Sequence, residues 1–222
     1  MKHIGKSYDK VDAKGILSGK PSYTGDFVPK DALIIKVLRS PHAQAKIKSI
    51  DTSTAKLIPG VEAIFTYEDV PNTRFTLAGQ TYPEPSAYDA LILDSVVRYV
   101  GDEVALIVAK DEATALKAMP LIKVEYEVQK PVLDLRTAID HETVVHPEDD
   151  ILNHIPVGQD YKRNICVSYH KRVGDIEGEL AKCDYVVEGT YFDQATRQSA
   201  MEPFQSFGYI DHLGRIVIVS ST

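Results

Sequence analysis

Three pairs of residues have the types from which a chemical site could be built, and one further residue stands alone. Asp102 and Glu103 are adjacent carboxylates, the pairing that general acid–base work uses. His141 and His146 lie five positions apart and are candidate metal ligands. Cys166 and Cys183 are the two thiols of the chain. Glu202, between Met201 and Pro203, is a carboxylate in a segment of small and apolar residues. Each also has a plain structural reading. Adjacent carboxylates in a turn point apart, so Asp102 and Glu103 read as turn chemistry. The two histidines fall in a polar, loop-like stretch and read as solvated. The cysteines show no CxxC or Cys/His spacing and no export signal precedes them, so they read as buried thiols rather than a disulfide. A carboxylate at Glu202 is either buried against a partner such as Arg197 or poised at a site, and the ion-pair or capping reading is favoured.

No self-sufficient catalytic motif accompanies these residues: the chain has no GxSxG, HExxH, P-loop or GxGxxG. With 25 basic and 32 acidic residues the net charge is −7, which argues against a nucleic-acid groove, and no Lys/Arg stripe with interleaved aromatics is present. No apolar run approaches the length of a membrane span, and the polar start MKHIGKSYDK has no apolar leader core. A cytoplasmic chain with no membrane partner is expected.

The elements that would position such residues are read from periodicity. Ala32 to Leu38 is a strand that ends at Pro41. Ala43 to Ile50 alternates as a half-buried strand. Asp51 caps a short helix over 52–58, stopped by Pro59-Gly60, and Val61 to Phe65 is a strand. Thr66 and Asp69 have capping-box spacing. Residues 72–90, punctuated by Gly79, Pro83 and Pro85, form a long surface loop. Val96 to Val100 and Val104 to Ala109 are strands joined by a hairpin-type turn at Gly101-Asp102, the second buried on both faces. Asp111 caps a helix that Pro120 should end at Met119, and Leu121 to Val128 completes a βαβ-like unit. Residues 131–163 read as a linker, with Pro131, Pro147, Pro156 and the acidic run Glu148-Asp149-Asp150. Beyond it come a short helix after Gly174-Asp175, a strand from Val186 to Tyr191, and a hairpin pairing Phe207 to Ile210 with Ile216 to Val219. The fold class is α+β, mixed helix and sheet.

The motifs add what the isolated residues do not. Tyr23-Thr24-Gly25-Asp26, Arg39-Ser40-Pro41-His42-Ala43, Pro59-Gly60-Val61, Asp69-Val70-Pro71, Arg98-Tyr99-Val100-Gly101-Asp102-Glu103-Val104-Ala105 and Val124-Glu125-Tyr126-Glu127 follow one another in order. Gly174-Asp175, Val187-Glu188-Gly189-Thr190-Tyr191, Met201-Glu202-Pro203 and Ile218 to Thr222 continue the series. Together they resemble the xanthine dehydrogenase / aldehyde oxidase family, at the opening of its molybdenum-cofactor subunit, over nearly the whole chain. The resemblance implies an N-terminal lead over 1–16, an α/β hammerhead domain over 17–130, the linker 131–163, and a truncated start of the molybdopterin-binding domain over 164–222.

It implies further that the full subunit hydroxylates a purine, N-heterocycle or aldehyde with oxygen from water. Molybdopterin-molybdenum does the chemistry, and iron–sulfur and FAD groups on partner subunits or domains carry the electrons away. The family's glutamine near the metal follows a Ser-Thr pair, so a glutamine is expected next after Thr222. No catalytic, cofactor-binding or metal residue is then expected within this chain, which would be inactive alone. Gln198 and Glu202 are candidates for a supporting position behind the cofactor. Two departures stand out. Gln198 replaces the histidine that many relatives carry four residues before the glutamate, and Pro120 falls where relatives continue their helix. The alternative is a non-catalytic binding or assembly module that keeps the hammerhead for protein contacts.

Overall fold

The computed structural model describes residues 4–21, 23–77, 83 and 85–221. Two compact units are present, Leu33–Asp184 and the pairing of Met1–Ala32 with Tyr185–Thr222. The expected linker 131–163 lies inside the first of these. The expected punctuator Gly79 falls outside the described residues.

Within Leu33–Asp184, two three-stranded antiparallel sheets share a core. The first has the order β1 (Ile34–Arg39), β5 (Glu103–Ala109), β3 (Val61–Phe65). The second has the order β4 (Val96–Val97), β2 (Ala45–Asp51), β6 (Lys123–Val128). Two short helices, α2 (Ser53–Lys56) and α3 (Glu112–Ala118), pack on the first sheet. The central strand β5 is the apolar run singled out by sequence. Its Ala105, Ile107 and Ala109 are fully buried against Ala55, Ile64, Ala115 and Ala118, while Leu106 and Val108 on its other face are half-buried. Arg39 pairs with Glu103 and Leu38 with Ala105, so a β-bulge leaves Val104 unpaired. The bulge turns Val104 into a second buried cluster with Ala45, Ile47 and Val97.

Two expectations about this region are corrected. The turn at Gly101-Asp102 does not close a hairpin. Val96–Val97 pairs with β2, whereas β5 pairs with β1 and β3, so the turn passes the chain from one sheet to the other. Gly101 takes the required positive φ of 102° and donates its N–H to the Ser40 carbonyl at 2.8 Å. Likewise β5, α3 and β6 are not a βαβ unit within one sheet. Both edges of β5 are already occupied, and β6 instead finds its antiparallel partner in β2.

Asp51 does not cap a helix over 52–58: α2 spans only Ser53–Lys56, with Thr52 at its N-cap position, whereas the signals at Asp111 and Pro120 are followed closely. The Asp111 carboxylate accepts from the Thr114 N–H at 2.7 Å and caps α3. Pro120 lies in a 3₁₀ turn, Met119–Leu121, directly after Ala118. Asp69 accepts from both the N–H and the hydroxyl of Thr66, at 2.8 and 2.9 Å, and closes a turn with no helix following. Asp111→Ala is expected to cost about 1 kcal/mol, the usual worth of an N-cap. Comparing urea midpoints of the two proteins checks this, and equal midpoints would show that the cap contributes nothing.

Residues 131–163 contain two 3₁₀ turns and isolated bridges rather than strands, yet they are fastened to the segment that precedes β4. The Tyr88 N–H donates to the Leu152 carbonyl at 2.9 Å, and Arg74 donates to Asp150 at 2.8 Å. The Asn164 side chain ties three backbone groups together, at Ala138, Thr143 and Val145. Further on, α4 (Ile176–Leu180) is capped by Asp175, which accepts from the Gly178 N–H at 3.0 Å. The buried-thiol expectation fails: Cys166 and Cys183 are both exposed.

In the other unit, α1 (Ala13–Leu17) is followed by a 3₁₀ turn at Thr24–Phe27, and β7 (Ser206–Ile210) pairs with β8 (Ile216–Ser220) as the expected hairpin. The expected strand from Val186 to Tyr191 does not form. Its side chains are exposed, and among the described residues no strand lies beside it to complete a ladder.

Candidate functional site

A largely buried polar cluster is centred on Arg98, just after β4. Its guanidinium donates to Asp94 at 2.8 Å, to Glu148 and to the Val145 carbonyl at 3.2 Å. The side chain is 11% exposed and those of Asp94 and Glu148 are each 19% exposed, so the charges are largely removed from water and held by one another. Burial works against the charged form of Arg98, but Asp94 and Glu148 outweigh it and hold the guanidinium above its ordinary value. At Glu148, burial is likewise outweighed, by His146, by its own backbone N–H and by Arg98, and the carboxyl is lowered to about 2.

His146 stands beside this pair, with Nδ1 3.4 Å from Glu148 Oε2 and Nε2 3.9 Å from Asp89 Oδ2. His141 is turned elsewhere, its Nδ1 accepting from the Thr143 N–H at 3.0 Å. Among the described residues no group of three His, Cys, Asp or Glu side chains could hold a metal ion. Sequence reasoning missed the cluster because Glu148 stands 50 residues from Arg98, and the acidic run containing it looks solvated in isolation.

Asp102 and Glu103 point apart. Asp102 accepts from the N–H groups of Arg98 and Glu103 at 2.8 and 3.1 Å, while Glu103 takes Arg39 at 2.7 Å and the Tyr99 hydroxyl at 3.2 Å. Burial raises the Asp102 carboxyl, and it raises the Tyr99 phenol, aided by Asp102 and Glu103, to about 12. Such an arrangement fixes the turn between the sheets and leaves no paired carboxylates for acid–base work.

Two cavities meet at His146 and Asp89. One, of about 580 Å³, is walled mainly by apolar side chains such as Ala87, Val132, Val145 and Val157. The other, of about 370 Å³, is more polar and includes Arg98, Tyr99 and Asp102.

Glu202 and Gln198 lie in the other unit. Glu202 is half-buried, and its Oε1 accepts from the Thr24 N–H at 2.8 Å, so its partner is backbone rather than Arg197. Gln198 is exposed in an irregular stretch. Among the described residues neither has surroundings that fit a molybdopterin: the Glu202 carboxylate is spent on the Thr24 amide, and the exposed Gln198 amide has no buried donors around it. Glu202→Ala is expected to cost about 1 kcal/mol, the net value of one such bond. Faster hydrogen exchange at the Thr24 amide in the variant is the check, and unchanged exchange would show that the bond contributes nothing.

Comparison with known proteins places this geometry. Residues 18–130 match the family described as "Aldehyde oxidase and xanthine dehydrogenase, a/b hammerhead domain", one residue from the span expected by resemblance. The chain is 37% identical over 243 residues to the "Probable hypoxanthine oxidase XdhD" of Escherichia coli (strain K12), covering 99% of this chain and 25% of that protein. It is 28% identical over 221 residues to the "Nicotinate dehydrogenase large molybdopterin subunit" of Eubacterium barkeri, covering 99% of this chain and 47% of that one. The solved aldehyde oxidoreductase from Desulfovibrio gigas superposes with a TM-score of 0.78 at 26% identity, over 98% of this chain and 24% of the other. The chain thus spans about a quarter of the first relative's length. It belongs to the aldehyde oxidase and xanthine dehydrogenase family, and residues 18–130 are that family's a/b hammerhead domain.

Proposed function

We propose that this chain is part of the large subunit of a molybdenum hydroxylase, one that hydroxylates a purine, N-heterocycle or aldehyde with oxygen from water. The observation that carries the reading is the continuous match over 99% of the chain to an oxidase named for hypoxanthine and to a nicotinate dehydrogenase's large molybdopterin subunit. The residues described here supply the hammerhead body, with its two sheets joined through β5 and the Arg98 cluster. They supply no cofactor site of their own, and 1–222 alone is inactive. Molybdopterin is held by the rest of the subunit, and iron–sulfur and FAD groups reside on partner subunits or domains. The enzyme works in the cytoplasm; among the described residues no helix is long and apolar enough to cross a membrane.

The test is turnover by the product of the whole reading frame, expressed with its iron–sulfur and flavin partners in ¹⁸O-labelled water. Hypoxanthine, nicotinate and an aromatic aldehyde are offered in turn. Label in the hydroxylated product of one of them is expected. Failure with all three, alongside stable binding of the partner subunits, would favour a non-catalytic assembly module instead.

A further inference from the structure

The pair of atoms His146 Nδ1 and Glu148 Oε2 has no formed hydrogen bond, although both atoms are buried and face each other at 3.4 Å. Buried polar atoms without partners are rare and call for a physical reason. The surroundings offer one. Glu148 Oε1 is already taken by Arg98, which also holds Asp94. On the other side of the imidazole, Nε2 looks at Asp89 Oδ2 from 3.9 Å. One ring therefore stands between two carboxylates from different parts of the chain, Glu148 on its own segment and Asp89 on the loop before β4.

A neutral imidazole carries a hydrogen on one nitrogen only, so it can serve one of these carboxylates and must turn a lone pair to the other. An imidazolium carries a hydrogen on both and can serve the two at once. Counting formal charges, Asp89, Asp94 and Glu148 against Arg98 leave an excess of two negative charges around a neutral ring, and protonation halves it. The remaining titratable groups on the adjoining walls are Tyr161 and Cys166 on the apolar side, and Tyr99, Asp102 and Glu103 on the polar side. None of them is a cation. Two guanidiniums lie nearby and both are engaged: Arg39 with Glu103, and Arg74, which donates to the Asp89 carbonyl at 3.0 Å, with Asp150.

We propose that His146 is a proton-operated latch: on gaining a proton it bridges Glu148 and Asp89 and fastens residues 141–150 to the wall formed by residues 89–103. Both cavities share that wall at His146 and Asp89, so the latch sets how firmly they are closed off from one another. Gain of the proton strengthens the fastening and loss loosens it. The Arg98–Glu148 pair persists in both states, because its carboxylate is ionised throughout that range.

The test is hydrogen exchange of the amides in 141–150 at pH 8 and pH 6, corrected for intrinsic rates and referenced to amides of β5. In the unaltered chain, corrected exchange is expected to slow several-fold on going to pH 6. His146→Gln keeps a hydrogen-bonding side chain but cannot titrate, and its corrected rates should be the same at both pH values. Asp89→Asn removes one of the two negative charges that face the ring without touching Arg98, and should shrink the pH effect while leaving the fold intact. That variant carries the test should His146→Gln fail to fold. Equal pH dependence in the unaltered chain and in the folded variants would overturn the proposal, as would rates in the unaltered chain that do not change with pH.

Discussion

Ile107→Ala is expected to lower the unfolding free energy of the Leu33–Asp184 unit by about 2–5 kcal/mol. Ile107 is the largest fully buried side chain and lies mid-strand in β5, between β1 and β3 and beneath α3. Truncation there removes three carbon atoms from a space lined by Ile64, Ala105, Ala109, Ala115 and Ala118. Alanine neighbours have no rotamers with which to refill the space, so the void persists and its cost adds to the lost transfer energy. Leu116→Ala on the outer face of α3 is the control, since that side chain is half exposed. Urea midpoints of the two variants are the measurement. A shift for Ile107→Ala no larger than that for Leu116→Ala would contradict the placement of the core.

Arg98→Ala is expected to cost about 3–5 kcal/mol, because it strands Asp94 and Glu148 as buried, unpaired carboxylates. The same cluster makes the unit acid-sensitive. The folded value of Glu148, about 2, lies below its ordinary 4.5, so the stabilisation is present above about 4.5 and is lost as pH falls toward 2. The gap between 4.5 and about 2, at about 1.4 kcal/mol for each pH unit, makes that loss about 3 kcal/mol. Glu148→Gln should flatten the stability profile between pH 4.5 and 2. Thermal melts of the unaltered chain and the variant across that range are the check, and parallel profiles would show that Glu148 makes no contribution to acid stability.

Those two sites also show what sequence can and cannot disclose. The apolar run Val104 to Ala109, the Asp111 cap and the β7–β8 hairpin are each set by residues within a few positions of one another, and all three were legible. The division into two sheets was not. It depends on which strand edges are already taken, and β6 lies next to β2 rather than β5 because β1 and β3 fill both edges of β5. Nor was Arg98 legible as the centre of a cluster, since its partner Glu148 reads in isolation as one acid of a solvated run. Val186 to Tyr191 has strand composition but no neighbouring strand, and composition alone does not make a ladder. For the candidate site, the ion-pair or capping reading of Glu202 offered a partner such as Arg197, whereas its Oε1 accepts from the Thr24 N–H, 178 residues away in sequence.

The central claim, that this chain belongs to a molybdenum-bearing large subunit, is tested most directly by metal analysis of the purified product of the whole reading frame beside the 1–222 chain. Stoichiometric molybdenum is expected in the first and none above background in the second. A full-length product free of molybdenum when made in cells that assemble the cofactor, or stoichiometric molybdenum in the 1–222 chain, would contradict it.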